Sequence, residues 1–229
     1  MHIFFAVPTI FEMLARAPEF ATANLSHLRW CISGGAPLPA PLAALYRQRG
    51  LVMKQGYGLT EAGVNCFAMS SEEAALKAGS IGRPMLFTQA RLAPVSQPGV
   101  ADGVGELCLR GPHVAKGYWN QPEATAAAFD SEGWLHTGDL ARADEDGFYS
   151  IAGRLKEMLI SGGVNIYPAE IEAALLDHPA IAAAAVVGIN DPQWGEVPAA
   201  FVVTRADYRR RTHCFSCRAA GALQAAQRN

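Results

Sequence analysis

Short apolar runs and amphipathic stretches alternate along residues 1–89. Apolar side chains recur at helical spacing after Pro8 and again before Gly50, which predicts two helices. The first stripe is Ile10, Met13, Leu14 and Ala17, and the second is Leu38, Leu42 and Leu45. Strand-like runs at 28–32 and 51–53 flank the second helix, and each leads into a glycine-rich turn. This order predicts an α/β layer, whose ligands bind beyond the carboxyl ends of the strands.

From about residue 90 the pattern changes to short strands separated by turns. Two runs have strand composition, Glu106–Leu109 and Phe148–Ile151. We therefore expect a β-rich subdomain over residues 90–152. Helical spacing returns behind Pro168, and apolar runs follow at 181–189 and 197–203. These patterns predict a second region of mixed helix and strand over residues 157–204.

The composition limits the class of protein. The 229 residues are 50% apolar and 17% charged, which excludes a disordered or coiled-coil chain. A formal net charge of −2 gives no reason to expect a nucleic-acid partner. Five scattered cysteines do not make a disulfide framework, and the first apolar stretch, Ile3–Val7, is too short for a signal peptide or a membrane span. We therefore predict a cytoplasmic protein without a transmembrane segment.

Two glycine turns follow strands in the first region, Ser33-Gly34-Gly35 and Gln55-Gly56-Tyr57-Gly58. Either can be an ordinary turn between a strand and a helix, and we prefer that interpretation for the first turn taken alone. The dinucleotide fingerprint is excluded because Glu61 stands where its third glycine belongs. In the second turn Tyr57, Thr60 and Glu61 offer a stacking ring, a hydroxyl for a phosphate and a carboxylate for Mg²⁺. This combination indicates a nucleotide-binding turn.

Three further polar residues have a functional and a structural interpretation. Asp139, in Gly133-Trp134-Leu135-His136-Thr137-Gly138-Asp139, can accept hydrogen bonds from both hydroxyls of a ribose, or it can cap a turn. Arg154 can pair with phosphate or ribose, or with a structural carboxylate. We expect His136 to be structural, because no histidine, cysteine or carboxylate accompanies it at metal-ligand spacing.

Taken together and in this order, the motifs resemble the adenylate-forming superfamily, in particular AMP-forming acyl-CoA synthetases of the fatty-acid and coumarate type. The likeness runs from about residue 3 to about 204 and is strongest in four stretches: Gln55–Glu61, Gly105–Thr125, Gly133–Asp139 and Gly153–Glu172. The resemblance implies a partial N-terminal adenylate-forming domain, with a parallel-sheet α/β part and a β-rich subdomain. A hinge at 153–156 would join it to an incomplete small α+β C-terminal domain at 157–204.

Members of this family use ATP to convert a carboxylic acid to an acyl-adenylate and then transfer the acyl group to coenzyme A. The resemblance implies that Gly35 and the turn Gln55-Gly56-Tyr57 line the adenine, with Tyr57 stacked on it. Thr60 would bond the α-phosphate, and Glu61 would coordinate Mg²⁺. The acid, ATP and coenzyme A are therefore the expected small-molecule partners.

The resemblance also assigns roles further along the chain. Asp139 would hold the ribose hydroxyls with help from Arg154. Lys156 would be the hinge about which the C-terminal domain rotates between the two half-reactions. Gly162 and Gly163 would lie against the pantetheine arm of coenzyme A. Straight-chain fatty acids and aromatic acids such as cinnamates both stay open as substrates, and so does the oligomeric state.

Two departures from the family pattern shape the functional prediction. The sequence has no Ser/Thr/Gly-rich phosphate loop ending in Pro-Lys, and no lysine follows Lys156, where the family has a catalytic Thr-Gly-Lys lysine. Residues 205–229 carry six arginines and one aspartate, form a divergent tail, and suggest a frameshifted or replaced terminus. The tail contains one Cys-x-x-Cys motif, Cys214-Phe215-Ser216-Cys217. We predict that these two cysteines are incidental and do not form a metal or redox site.

These departures leave three functional alternatives. The chain is an acid–CoA ligase fragment with weak overall activity, or a fragment that retains only thioester formation from acyl-adenylate. The third alternative is an inactive remnant that binds AMP or a protein partner only. In each case an incomplete parallel sheet exposes apolar faces, so we predict that the isolated chain is prone to aggregate.

Overall fold

The computed structural model describes residues 3–95, 103–205 and 213–216. These residues divide into two compact units. The first contains the described residues up to Pro94 and Gly103–Ile151, and the second contains Val95 and the described residues from Ala152 onward. Within the described residues, no helix is long and apolar enough to cross a membrane.

A three-stranded parallel sheet opens the first unit, in the order β1-β2-β3. Its strands are β1 (Ile3–Ala6), β2 (Trp30–Ser33) and β3 (Met53–Gln55). Two helices connect them, α1 (Pro8–Arg16) and α2 (Ala40–Gln48), and a 3-10 turn follows α1 at Pro18–Ala21. Proline stands in the first turn of each helix, where its missing N–H costs nothing. The predicted α/β layer is confirmed.

The buried face of α1 differs from the predicted stripe. Phe11 is fully buried against Tyr46 of α2, whereas Ile10, Met13 and Leu14 are exposed. The phenol of Tyr46 donates a hydrogen bond to the carbonyl oxygen of Phe11, which ties the two helices together on one face of the sheet. The periodicity therefore identified the helix correctly, but it selected the wrong face.

A six-stranded sheet forms the rest of the first unit, in the order β4-β5-β9-β8-β7-β6. The strands are β4 (Phe67–Ala68), β5 (Ser80–Pro84), β6 (Gln89–Ala93), β7 (Val104–Arg110), β8 (Leu135–Ala143) and β9 (Tyr149–Arg154). Helix α3 (Ser71–Leu76) lies between β4 and β5 in the chain, and α4 (Pro122–Ala128) lies between β7 and β8. The sheet thus includes two strands that precede residue 90.

The core of this sheet is closed by side chains of its strands and of the loop between β3 and β4. Its central members are at most 1% exposed: Ala62, Cys66, Phe67, Ile81, Leu107, Leu109, Leu135 and Ala141. In β7 the neighbouring residues Leu107, Cys108 and Leu109 are all fully buried, so both faces of the sheet are covered at this point. This packing holds β7 and β8 rigidly side by side.

The second unit combines one helix with an antiparallel sheet. Its elements are β10 (Leu159–Ser161), β11 (Val164–Ile166), α5 (Pro168–Leu176), β12 (Ile181–Asp191), β13 (Gly195–Thr204) and β14 (His213–Ser216). The sheet order is β11-β10-β13-β12, with β14 also paired to β13. Glu172 of α5 accepts a hydrogen bond from the backbone N–H of Val186, which anchors the helix to β12. The predicted α+β character of this region is confirmed.

The predicted domain boundaries stay a prediction. Apart from Arg205 and strand β14, the tail predicted at 205–229 lies outside the described residues. The side chains of the Cys214/Cys217 pair also lie outside what the structure describes.

Candidate functional site

A partly buried hydrogen bond joins the two sheets of the first unit. The phenol of Tyr57, two residues after β3, donates to Oδ2 of Asp139 on β8 at 2.6 Å. Asp139 is buried, and the ring of Tyr57 packs edge-on against Phe67 with 5.7 Å between the ring centroids. Burial and the Asp139 charge raise the pKa of Tyr57 well above its ordinary value, so the phenol stays a donor.

The backbone around Asp139 is fixed by its neighbours. Thr137 Oγ1 donates to the carbonyl oxygen of Leu107 at 2.7 Å and accepts the N–H of Asp139 at 3.1 Å. Gly138 adopts φ +72°, which favours glycine, and its N–H donates to Glu106 Oε1 at 3.0 Å. The pairing of β7 with β8 shifts register between Glu106 and Cys108. This irregularity and its hydrogen bonds hold the Asp139 backbone in place.

The two glycine turns lie next to each other at the carboxyl ends of β2 and β3. The N–H of Gly56 donates to the carbonyl oxygen of Ser33 at 2.7 Å. Gly35 has φ +80°, and Gln55 Oε1 accepts the N–H of Leu38 at 3.4 Å. Gly35, Gln55, Gly56 and Tyr57 are therefore brought together at one edge of the parallel sheet, as predicted for ligand binding in α/β folds.

The loop after Tyr57 folds tightly on itself. A Cβ on Gly58 would lie 2.2 Å from the carbonyl oxygen of Gly63, so the chain itself requires glycine at position 58. A bridge between Leu59 and Gly63 closes the loop that carries Thr60 and Glu61. Thr60 is exposed at its tip, available to a ligand from solvent.

Glu61 has a partner that the sequence did not suggest. Its Oε1 accepts a hydrogen bond from the phenol of Tyr118 at 2.7 Å, and its carbonyl oxygen accepts the N–H of Ala115 at 2.7 Å. The hydrogen bond to the carboxylate raises the pKa of Tyr118. Tyr118 falls within the resembling stretch Gly105–Thr125, but only its contact with Glu61 across the fold identifies it as part of the site.

The surroundings of the turn fit a nucleotide. Among the described residues, Ser33 Oγ and Asn65 Oδ1 are buried without a hydrogen-bond partner. Asn65 Oδ1 lies 3.0 Å from where a Cβ of Gly56 would stand. Buried acceptors without donors cost free energy, so this edge favours a ligand that brings N–H groups, as an adenine does.

A magnesium ion also fits the residues present. Mg²⁺ in nucleotide sites takes one or two protein carboxylates and completes its coordination with phosphate oxygens and water. Glu61 supplies one partly exposed carboxylate next to the exposed hydroxyl of Thr60. The donor set therefore suits a metal carried in with a nucleotide better than a resident ion held by protein alone.

The remaining predicted site residues belong to the second unit. Arg154 is the last residue of β9, and Lys156 is exposed in a 3-10 turn, Leu155–Glu157. Gly162 and Gly163 have φ +57° and +82° in the turn between β10 and β11. A Cβ on Gly162 would lie 2.3 Å from the ring of Trp194, whereas Gly163 faces open space. The part of these four residues in the site stays a prediction.

His136 has cross-strand neighbours that spacing along the chain did not reveal, and its predicted structural role stays a prediction. Its Nδ1 lies 2.8 Å from Glu106 Oε2 and 3.6 Å from Cys108 Sγ, both on the neighbouring strand. Cys108 pairs with His136 across the sheet, although the two are 28 positions apart in the chain. Spacing along the sequence does not show cross-strand partners at that separation.

Comparison with known proteins gives a consistent family assignment. Residues 1–119 match the model of the AMP-binding enzyme family, and residues 170–220 match that of the AMP-binding enzyme C-terminal domain. A feruloyl-CoA synthase of Amycolatopsis sp is 48% identical over 200 residues, covering 87% of this chain and 40% of the relative. A long-chain-fatty-acid–CoA ligase of Mycobacterium tuberculosis is 43% identical, covering 86% of this chain and 39% of the relative.

A solved structure agrees. The o-succinylbenzoate CoA synthetase of Bacillus subtilis, in complex with its acyl-adenylate intermediate, matches with a TM-score of 0.76 and 37% identity. The match covers 90% of this chain and 42% of the synthetase, which has also been solved with ATP and a magnesium ion. The chain thus spans about two fifths of the length of the relatives it matches. The resemblance expected from the motifs is confirmed, and the chain belongs to the family of AMP-binding enzymes.

Proposed function

We propose that the protein carries the nucleotide side of an AMP-forming acid–CoA ligase. In this role it binds ATP and the AMP part of an acyl-adenylate, and the acyl group passes to coenzyme A. The observation that carries the proposal is the Tyr57–Asp139 hydrogen bond. It places the aromatic ring and the predicted ribose-binding carboxylate together, next to the glycine turns at the carboxyl ends of β2 and β3.

Each residue of the first unit then has a chemical task. Gly35 and Gln55–Tyr57 border the adenine, and Asp139 accepts hydrogen bonds from the ribose. The Tyr57 phenol orients the Asp139 carboxylate before the nucleotide arrives, which lowers the entropic cost of binding. Thr60, exposed at the tip of its loop, donates to the α-phosphate.

The chemistry divides into an adenylyl transfer and an acyl transfer. A carboxylate oxygen of the acid attacks the α-phosphorus of ATP, and pyrophosphate leaves. The coenzyme A thiolate then attacks the carbonyl carbon of the acyl-adenylate, and AMP leaves with the electrons of the broken C–O bond. Mg²⁺ bound by Glu61 would neutralise phosphate charge when present. Thr60 would stabilise charge that grows on the phosphate oxygens in the transition state.

The second unit and the substrate class complete the proposal. Arg154 would assist Asp139 at the ribose, Lys156 would act as the hinge, and Gly162 and Gly163 would border the arm of coenzyme A. The positive φ of both glycines and the open space at Gly163 suit a backbone that a slender ligand approaches closely. The relatives named for feruloyl and long-chain fatty acyl substrates support an aromatic or fatty carboxylic acid.

Nucleotide binding is tested by calorimetric titration of the 229-residue chain with AMP. Asp139→Asn should weaken binding more than tenfold, because the amide places an N–H donor where the ribose hydroxyls donate. Asp146→Asn, which changes an exposed carboxylate in the turn between β8 and β9, is the matched control and should leave affinity unchanged. Near-UV circular dichroism checks folding, and Tyr57→Phe gives a second, milder variant. Equal AMP affinity in all four proteins would refute the proposed site.

Catalysis is tested with two separate mixtures, acyl-AMP plus coenzyme A and acid plus ATP and Mg²⁺. Acyl-CoA from both mixtures means that the chain performs the whole reaction. Thioester from the first mixture alone identifies a fragment that performs only the second half-reaction. No product from either mixture, with AMP binding intact, identifies the non-catalytic nucleotide-binding alternative. No AMP binding and no product would reject the ligase proposal altogether.

A further inference from the structure

Three side chains of metal-ligand type meet on the face of the six-stranded sheet opposite Leu107 and Leu109. Glu106 and Cys108 of β7 and His136 of β8 each offer one ligand atom, and these atoms all lie within 4.8 Å of one another. His136 Nδ1 is 2.8 Å from Glu106 Oε2 and 3.6 Å from Cys108 Sγ. None of the three side chains has been assigned a contact with the nucleotide, although Glu106 also holds the backbone N–H of Gly138, next to Asp139.

The strands present this cluster for a simple geometric reason. Residues two apart on a strand share a face, so Glu106 and Cys108 project to the same side. His136 pairs directly with Cys108 across the sheet. The alternate residues Leu107 and Leu109 point into the core and are fully buried. The hydrophobic core therefore holds the backbones of all three ligands in a fixed arrangement.

We propose that Glu106, Cys108 and His136 form a binding site for a borderline-soft divalent transition-metal ion of the Zn²⁺ type. A carboxylate, a thiolate and an imidazole nitrogen are the usual ligand types for such an ion. Ligand bonds of about 2.0–2.3 Å in a tetrahedron separate the ligand atoms by roughly 3.3–3.8 Å. The distance between Nδ1 and Sγ already falls in this range, and the carboxylate needs to move back by about half an ångström.

The surroundings provide a second shell and an entrance. His136 Nε2 lies 3.8 Å from Asp130 Oδ2, which gives the carboxylate–histidine–metal arrangement once Nδ1 is ligated. Glu106 Oε1 is held by the N–H of Gly138 at 3.0 Å. The side chain of His136 is 31% exposed, whereas Cys108 is fully buried. An ion therefore enters from the histidine side, and the fourth ligand position opens there to water.

The charge of the cluster suits a divalent ion. Burial raises the pKa of the Cys108 thiol to about 11, so the positive charge of the bound ion has to stabilise the thiolate. On binding, the Cys108 thiol releases one proton to solvent, and the imidazole proton moves from Nδ1 to Nε2. The charged groups around the cluster are three carboxylates and two guanidinium groups: Glu106, Asp130, Glu132, Arg91 and Arg110. Arg91 is already paired with both Asp130 and Glu132. With the thiolate the cluster carries a net charge of about −2, which a divalent ion neutralises.

The test is a titration of the metal-free full chain with Co²⁺, followed by absorption spectroscopy. A thiolate ligand gives Co²⁺ an intense near-ultraviolet charge-transfer band, and added Zn²⁺ should abolish it by displacement. We expect the band in the unaltered chain and its loss in Cys108→Ala. His136→Asn should weaken Co²⁺ binding at least tenfold. Because His136 is partly exposed, that variant keeps the test valid if Cys108→Ala fails to fold.

Two controls separate this site from other thiols. Cys66→Ala removes an equally buried cysteine and should keep the band. Cys214→Ser with Cys217→Ser removes the tail pair that follows His213, and should also keep the band. The proposal is overturned if the unaltered chain gives no thiolate band with excess Co²⁺. It is equally overturned if the band survives Cys108→Ala or disappears with the tail cysteines.

Discussion

The two sheets of the first unit bury their apolar residues to very different degrees. In the six-stranded sheet, Phe67, Ile81, Leu107 and Leu135 are at most 1% exposed. In the three-stranded sheet, the face that α1 and α2 cover is buried, but on the other face Ile3 and Phe5 are 47% and 50% exposed. Parallel sheets are normally covered on both faces. The core of the six-stranded sheet is therefore covered, whereas one face of the three-stranded sheet is left partly exposed.

Helix α3 is the element that connects the two regions. It follows the capping residue Ser70 and buries Ala74 in a small cluster with Met69 and Phe148. Val52, which immediately precedes β3, packs against the same cluster. The parallel sheet is therefore better protected near β3 than at β1. The predicted tendency to aggregate stays a prediction, and the exposed face of β1 is where it would originate.

The largest expected difference is between the losses of unfolding free energy when one phenylalanine of each sheet is replaced by alanine. Phe67→Ala should lower the free energy of unfolding by about 3–5 kcal/mol, because it leaves a cavity in a closed core. Phe5→Ala should cost less than about 1 kcal/mol, because half of that ring is already in water. Urea unfolding of both variants measures the two losses. Similar losses would show that the parallel sheet is as well packed as the antiparallel one.

The next effect concerns the hydrogen bond between the sheets. Tyr57→Phe should lower the free energy of unfolding by about 1.5–3 kcal/mol, because the buried Asp139 carboxylate loses a donor. Tyr118→Phe removes the same kind of bond to Glu61 at the surface and should have little effect. Thermal unfolding of the two variants gives the comparison directly. A larger loss for Tyr118→Phe than for Tyr57→Phe would contradict this prediction, because the hydrogen bond to Glu61 would then stabilise the fold more than the one to Asp139.

A smaller effect is expected at the start of α3. Ser70 and Glu73 form a capping box, in which the Ser70 hydroxyl accepts the N–H of Glu73 and the Glu73 carboxylate accepts the N–H of Ser70. Ser70→Ala should cost about 1 kcal/mol in unfolding free energy. Ser71→Ala, one residue further on, is the control and should cost less. If Ser70→Ala left the unfolding free energy unchanged, the start of α3 would not contribute to the stability of the region that connects the two sheets.

The smallest effect is a dependence on pH at the other end of α3. The hydrogen bond from Lys77 lowers the pKa of Asp144 below its ordinary value of 3.8. A carboxyl group with a lowered pKa stabilises the fold above its unfolded pKa, and this contribution is lost as the pH falls through the folded value. Unfolding midpoints measured below about pH 4 should therefore decline less steeply for Lys77→Met than for the unaltered chain. Identical slopes would mean that this exposed pair does not contribute.

The sequence predicted those features that depend on order along the chain. The strand–turn–helix order predicted the parallel sheet and the position of the turn around Tyr57 at the carboxyl end of one of its strands. Periodicity could not choose the buried face of α1, because Phe11 and the stripe of Ile10, Met13 and Leu14 both recur at helical spacing. The exposed face of α1 carries more apolar residues than the buried face. A prediction based on the number of apolar residues therefore chose the exposed face as the buried one.

The features that were missed depend on contacts between distant segments. Tyr118 reaches Glu61 from 57 positions away, and His136 meets Glu106 from 30 positions away. Glycine at 58 is required by the carbonyl group of Gly63 rather than by a ligand. Each of these follows from strand register and loop closure, and a single sequence determines neither directly.

The hydrogen bond between Tyr57 and Asp139 also has a consequence for when the proposed nucleotide site forms during folding. The two residues are 82 positions apart, so they come together only after a long stretch of polypeptide has folded. During refolding, the chain therefore acquires its full affinity for a nucleotide that contacts both groups only at a late stage. We expect AMP to slow unfolding much more than it accelerates refolding, because only the native chain holds this pair assembled.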